Sequence, residues 1–155
     1  MAACFIQPAL DGNTTVIKVQ HTIIIFTYIK PDLLHIHVQE LIQLAEQLSQ
    51  DGVLKYVIAG DLNARSQLLT GDHNTNARGT MLEEELEDSE FQVQRPIEGK
   101  WTSFANGGFT IPNMVIVNFP IEDLTVHESE SCGGSVHRPL TFTIPTEDPM
   151  EKLVD

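Results

Sequence analysis

The sequence predicts an α/β domain, and three observations carry that expectation. Residues 22–28 are β-branched and aromatic almost throughout, the composition of a strand. Across residues 33–50 the apolar positions Leu34, Val38, Leu41, Ala45 and Leu48 alternate four and three apart, which is one face of a helix. Residues 53–59 are again short and apolar, and they end in Gly60-Asp61. The 155 residues, 41% of them apolar and 20% charged, have the length of one domain. A chain of that size buries roughly 70% of the surface its unfolded form exposes, enough for a core without staples.

Residues 1–15 hold Pro8 and Asp11-Gly12-Asn13 and show little pattern, so an irregular lead-in ending in a turn is expected. A strand over 16–19 follows, with His21 in the turn before the strand over 22–28, which is apolar enough to be buried on both faces. Lys30-Pro31-Asp32 breaks that strand and offers Asp32 as the cap of the 33–50 helix, which Gly52 would close. His35 and His37 are two apart and so point to different faces, which argues against a shared metal. The strand over 53–59 delivers Asp61 to a carboxyl end, where open α/β sheets place ligands.

Residues 76–89 predict a second helix, with Met81, Leu82 and Leu86 inward and Glu83, Glu84, Glu85, Glu87 and Asp88 on a solvated face. Short strands over 100–104, 114–118, 122–128 and 140–144 alternate with Gly- and Pro-marked turns, and His127 reads as an outward polar residue. Asp72 and His73 read as turn residues rather than as metal ligands. The acidic stretch 145–155 carries two prolines and is expected to fray.

Charge and cysteine usage exclude several functions. The net charge is −13 and the acidity is spread over the chain, so unaided DNA binding is not expected, because affinity for phosphate backbones comes largely from Lys and Arg. The longest apolar run, Ile23 to Phe26, is far below the roughly 20 residues a spanning helix needs, so no membrane segment is expected. Cys4 and Cys132 form no metal or redox motif and read as free thiols. With neither a secretory nor a transit pattern at the start, an intracellular location is the expectation.

The chemistry lies in the order of several motifs. Tyr28-Ile29-Lys30-Pro31 is followed by Gly60-Asp61-Leu62-Asn63-Ala64, then by Asn76-Ala77-Arg78-Gly79 and Trp101-Thr102-Ser103-Phe104. Ile111-Pro112-Asn113-Met114 and Ser135-Val136-His137-Arg138-Pro139-Leu140 close the series. In this order they resemble the endonuclease/exonuclease/phosphatase superfamily, and are most similar to the apurinic-endonuclease-type domain of non-LTR retrotransposons, over about residues 16–144.

The resemblance implies two mixed β-sheets flanked by helices, a four-layer sandwich, and magnesium-assisted hydrolysis of phosphodiesters at the strand ends. By the same resemblance Tyr28 would stand beside the scissile phosphate and Asp61 would position the attacking water or a metal. Asn63 would orient phosphate, and His137 would supply a proton or hydrogen bond.

Three departures stand out. The family's closing Ser-Asp-His reads Ser135-Val136-His137, so a carboxylate is replaced by a hydrocarbon. Asn113 stands where the family has the Asp that holds the histidine, and an amide cannot stabilise an imidazolium by charge. The family's first strands, with the main metal-binding Glu, have no counterpart, and residues 1–15 contain no glutamate. These departures point to a vestigial site in a non-catalytic binding or scaffold subunit that needs no cofactor. The alternative is a Mg²⁺-dependent endonuclease acting on DNA, with Asp61 as its remaining metal ligand. Without the first strands, the edge at residues 16–29 would be uncovered, and a protein partner or a second copy is expected to cover it.

Overall fold

The computed structural model describes residues 4–6, 13–32, 36–48, 55–96, 101–105, 108–127 and 135–145. Six strands form one mixed sheet: β1 (Cys4–Ile6), β2 (Thr14–Val19), β3 (Thr22–Tyr28), β4 (Lys55–Asp61), β5 (Gln92–Gln94) and β8 (Asn113–Val117), in the order β1-β2-β3-β4-β8-β5. The β3–β4 pair is parallel and every other pair in this sheet is antiparallel. The helices are α1 (Ile36–Leu48), α2 (Gln67–Thr70) and α3 (Ala77–Glu87). Two antiparallel pairs complete the described structure, β6 (Ser103–Ala105) with β7 (Gly108–Thr110) and β9 (Glu122–Val126) with β10 (Leu140–Thr143).

The large sheet has a core on each face. On one, Ile23, Ile25, Tyr56, Ile58 and Ile116 meet Leu41, Ile42 and Ala45 of α1 and Leu82 and Leu86 of α3. On the other, Val57, Ala59, Val115 and Val117 meet Leu124, Leu140 and Phe142 of the β9–β10 pair. β4 and β8 are therefore buried on both faces, Tyr56 to Ala59 and Met114 to Val117 all being buried. Burial on both faces had been the expectation for residues 22–28. Instead β3 alternates: Ile23, Ile25 and Thr27 are buried, while Phe26 and Tyr28 on the opposite face are 42% and 44% exposed. The reason is coverage, since the second sheet has only two strands among the described residues.

Other expectations need correction too. Part of the lead-in is a strand, because Cys4–Ile6 pairs with Lys18, Ile17 and Val16. Residues 16–29 are consequently not an open edge: β3 lies between β2 and β4, and β2 is flanked by β1. Three elements carried too few residues to show a period, namely α2, β5 and β7. The start of the first helix at 33–35, its Gly52 cap, the start of the next strand at 53–54, Cys132 and the tail beyond 145 lie outside the described residues. Among the described residues no helix is long and apolar enough to cross a membrane.

Candidate functional site

Sheet register brings three of the expected residues side by side. Tyr28 at the end of β3 pairs with Asp61 at the end of β4, and Asp61 pairs in turn with Asn113 at the start of β8. β8 runs against β4, so its first residue meets the last residue of β4. The fourth, His137, arrives from a separate segment stitched to β6: Ser103 bridges His137, Phe104 N–H donates to Val136 O at 2.9 Å, and Arg138 N–H donates to Thr102 O at 2.8 Å.

The turn after β4 is shaped by its own residues. Gly60 has φ +146°, and a Cβ there would stand 1.9 Å from the Thr27 carbonyl oxygen of the adjoining strand, so only glycine lets β3 and β4 pair up to their ends. Asp61 Oδ1 accepts the Asn63 N–H at 2.9 Å, and Asn63, at φ 49°, donates from Nδ2 to Ile29 O at 2.7 Å. One of the two hydrogens on its amide nitrogen is thereby used within the chain.

The Asn76-Ala77-Arg78-Gly79 motif clamps this turn from behind. Asn76 caps α3, its Oδ1 accepting from Gly79 N–H and from Arg65 N–H, while its Nδ2 donates to Asn63 O. Buried Arg78 donates to Leu62 O at 3.0 Å and Lys30 O at 3.1 Å, tying the two loops after β3 and β4 together. Gly79 is required because a Cβ would meet Arg65 O at 1.7 Å. The motif was visible in the sequence, and its role as a clamp required the fold.

His137 Nδ1 faces Asn113 Oδ1 at 3.0 Å, so Nδ1 carries the hydrogen and donates it to the amide oxygen. Nε2 lies 3.7 Å from Asp61 Oδ2. Burial pushes the Asp61 carboxyl above the usual carboxylate range, against the opposing pull of the Asn63 N–H, His137 and Arg78. The imidazole and the carboxylate face each other beyond hydrogen-bond distance, and the imidazole's other partner is a neutral amide.

These groups sit at the polar end of a cleft of about 430 Å³ whose walls include Phe26, Ala59, Val115, Leu140 and Phe142. Arg138 lines the same cleft, its guanidinium 3.2 Å from the centre of the Trp101 ring. Val136 is 49% exposed and offers no oxygen.

Magnesium takes an octahedron of hard oxygens, usually with one or two carboxylates. This cleft supplies the single carboxylate of Asp61, one oxygen of which is occupied by the Asn63 N–H. Among the described residues no three His, Cys, Asp or Glu side chains gather as a metal site. Among the described residues of the cleft, Asp61 is thus the lower limit of what that ion takes, with no second acid beside it.

Asp72, expected to serve a turn, does more. It accepts from Asn74 N–H as a turn residue would, but it is only 5% exposed, pairs with Arg65 at 3.0 Å and takes the Ile111 N–H at 2.8 Å. It thereby fixes the chain two residues before Asn113. Two of the glutamates expected on a solvated face are instead partly buried: Glu83 accepts from the Ser66 hydroxyl, and Glu85 keeps one oxygen buried without a hydrogen-bond partner.

Residues 22–141 match a family described as endonuclease-reverse transcriptase. Among solved structures, the endonuclease domain of TRAS1, a telomere-specific non-LTR retrotransposon, is similar with a TM-score of 0.68 at 20% identity, over 90% of this chain and 66% of that one. The 3'-5' exonuclease NExo from Neisseria meningitidis gives 0.60 at 16% identity, over 90% and 69%. An AP endonuclease from Archaeoglobus fulgidus gives 0.62 at 14% identity, over 86% and 65%. These likenesses show the shared fold, and the chain spans about two thirds of each of these three structures. No curated protein matches the sequence.

Proposed function

The chain belongs to the endonuclease-reverse transcriptase family, and from that premise we propose that it is a non-catalytic member, an endonuclease/exonuclease/phosphatase-type domain kept for binding. The observation that carries this reading is the Asn113–His137 hydrogen bond. A histidine that protonates a leaving group or steadies a phosphate works best with a carboxylate on its far nitrogen, and here that partner is an uncharged amide. Removing one charge-stabilising group from a hydrolytic site costs about 10²–10³ in rate. Here Val136 adds a second such loss, although effects of this kind do not simply add.

The alternative, a magnesium-dependent endonuclease, is favoured by the meeting of Tyr28, Asp61 and His137 in one cleft. The test is cleavage of supercoiled plasmid and abasic DNA in Mg²⁺ or Mn²⁺. No nicking above background is expected. Metal-dependent nicking that disappears in Asp61→Ala or His137→Ala would establish the alternative.

The binding face under this reading is the apolar wall of the cleft. β10 pairs with β9 alone among the described residues, and its Leu140 and Phe142 line the same cleft as the exposed side chains Phe26 and Tyr28. An extended polypeptide segment with apolar residues on one face suits that position, because it would add main-chain hydrogen bonds to β10 and cover β3. The net charge of −13 supports a protein partner over DNA.

A further inference from the structure

A second groove, of about 580 Å³, lies between α2, α3 and β5. Leu68, Leu69, Leu86, Phe91 and Val93 supply its apolar surface. Leu68 is 68% exposed, the most exposed large hydrophobic side chain among the described residues. It is held outward by a single helical turn closed at both ends, Ser66 Oγ accepting the Leu69 N–H and Gly71 donating to Gln67 O.

The rim of this groove is acidic. Glu83, Glu84 and Glu87 stand along α3, and the one cation in the lining, Arg95, already donates from Nε to Leu69 O at 2.7 Å. Glu84 and Glu87 are both exposed and three residues apart, hence on one face of the helix. Beside them runs a strand edge: β5 ends the six-stranded sheet and pairs with β8 alone among the described residues. An unpaired edge selects an extended main chain, an apolar floor selects one or two bulky side chains, and a carboxylate rim selects Lys and Arg while repelling phosphate.

We propose that this groove binds an extended basic peptide of a partner protein. The peptide adds along the outer edge of β5 and seats an apolar side chain against Leu68, Leu86 and Phe91. Its Lys or Arg side chains meet Glu84 and Glu87. Side chains two apart on a strand lie roughly 7 Å from one another on the same face, close to the spacing of two carboxylates one helical turn apart. This inference stands whether or not the His137 cleft cleaves anything.

The test uses the full chain and a synthetic probe, acetyl-Lys-Thr-Leu-Thr-Lys-Thr-Arg-amide, whose apolar and basic side chains share one face of the strand, followed by calorimetry. Leu68→Ser and the double variant Glu84→Gln with Glu87→Gln are each expected to weaken binding about tenfold or more. A control with the same charge removed elsewhere, Glu122→Gln with Asp123→Asn on β9, is expected to change it by less than about twofold. Equal losses in the control and the groove variants would reduce the attraction to net charge and overturn the proposal. So would unchanged affinity in Leu68→Ser. On the wild-type chain, amide shifts on adding the peptide are expected at residues 68–69 and 84–95. A probe methylated on alternate backbone nitrogens is expected to lose binding, and retention of affinity would refute strand addition.

Discussion

Asn113 Oδ1 sits 3.0 Å from Nδ1 of His137, while Nε2 of the same ring faces Asp61 Oδ2 at 3.7 Å. The ring is gripped by an amide on one side and approached by a half-buried carboxylate on the other. The ring is oriented by a hydrogen bond, and the group that orients it carries no charge. Magnesium titration by calorimetry is therefore expected to show no saturable binding at millimolar metal, since one carboxylate in water binds the ion weakly. A saturable isotherm abolished by Asp61→Asn would contradict this.

Asp61 also makes stability depend on pH. Its carboxyl is pushed up by burial, so the folded state holds the proton more tightly than the unfolded chain does. Ionising it at neutral pH therefore costs stability, and the cost is relieved as pH falls through the carboxylate range. Asp61→Asn keeps an acceptor for the Asn63 N–H and is expected to raise the melting temperature at pH 7, with the gain shrinking toward pH 4. A variant that melts lower at pH 7 would show that the attractions of His137 and Arg78 outweigh burial.

Asp72 has the opposite sign. Burial works to raise its carboxyl, but the Arg65 side chain and the N–H groups of Ile111 and Asn74 together hold it below the usual range. Its contribution is present above the unfolded carboxyl's pKa and is lost as pH falls through the lower folded value. Asp72→Ala is expected to cost about 3 kcal/mol, because it strands the Ile111 N–H and a guanidinium that is only part exposed. Urea unfolding at pH 7 measures it, and a loss under about 1 kcal/mol would mean that water replaces the carboxylate.

Gly60→Ala tests the close approach of β3 and β4. With a Cβ 1.9 Å from Thr27 O, the strands must part at the end that carries Asp61. A loss of about 3 kcal/mol or more is expected in chemical denaturation. Full stability in this variant would mean that the Tyr28–Asp61 register does not depend on the glycine.

A hydrophobic dye should report the uncovered face of β3. Enhanced fluorescence with the native chain is expected, and Phe26→Lys should reduce it while leaving the fold intact, because Phe26 is already half in water. No enhancement at all would remove the argument for a covering partner.

What residues 1–155 fix without the fold is local. The 3.6-residue period over residues 36–48, the β-branched composition of residues 22–28 and the spacing of Met81, Leu82 and Leu86 are consequences of neighbouring residues, and a helix, a strand and a helix stand at those positions. The ordered motifs around Asp61 and His137 likewise named the family before any contact was seen. What only the tertiary structure decided depends on residues far apart in the chain. Which strands are buried on both faces, whether residues 16–29 form an edge, and where Phe26 and Tyr28 point are set by what lies across the sheet. The same holds for Asp72, whose turn-forming composition hides a link from Arg65 to Ile111, and for Arg78, whose guanidinium joins two loops that approach only when β3 and β4 pair in parallel. Burial and charge pairing are pairwise properties of the folded chain. A sequence lists the members of each pair, and the fold decides which of them meet.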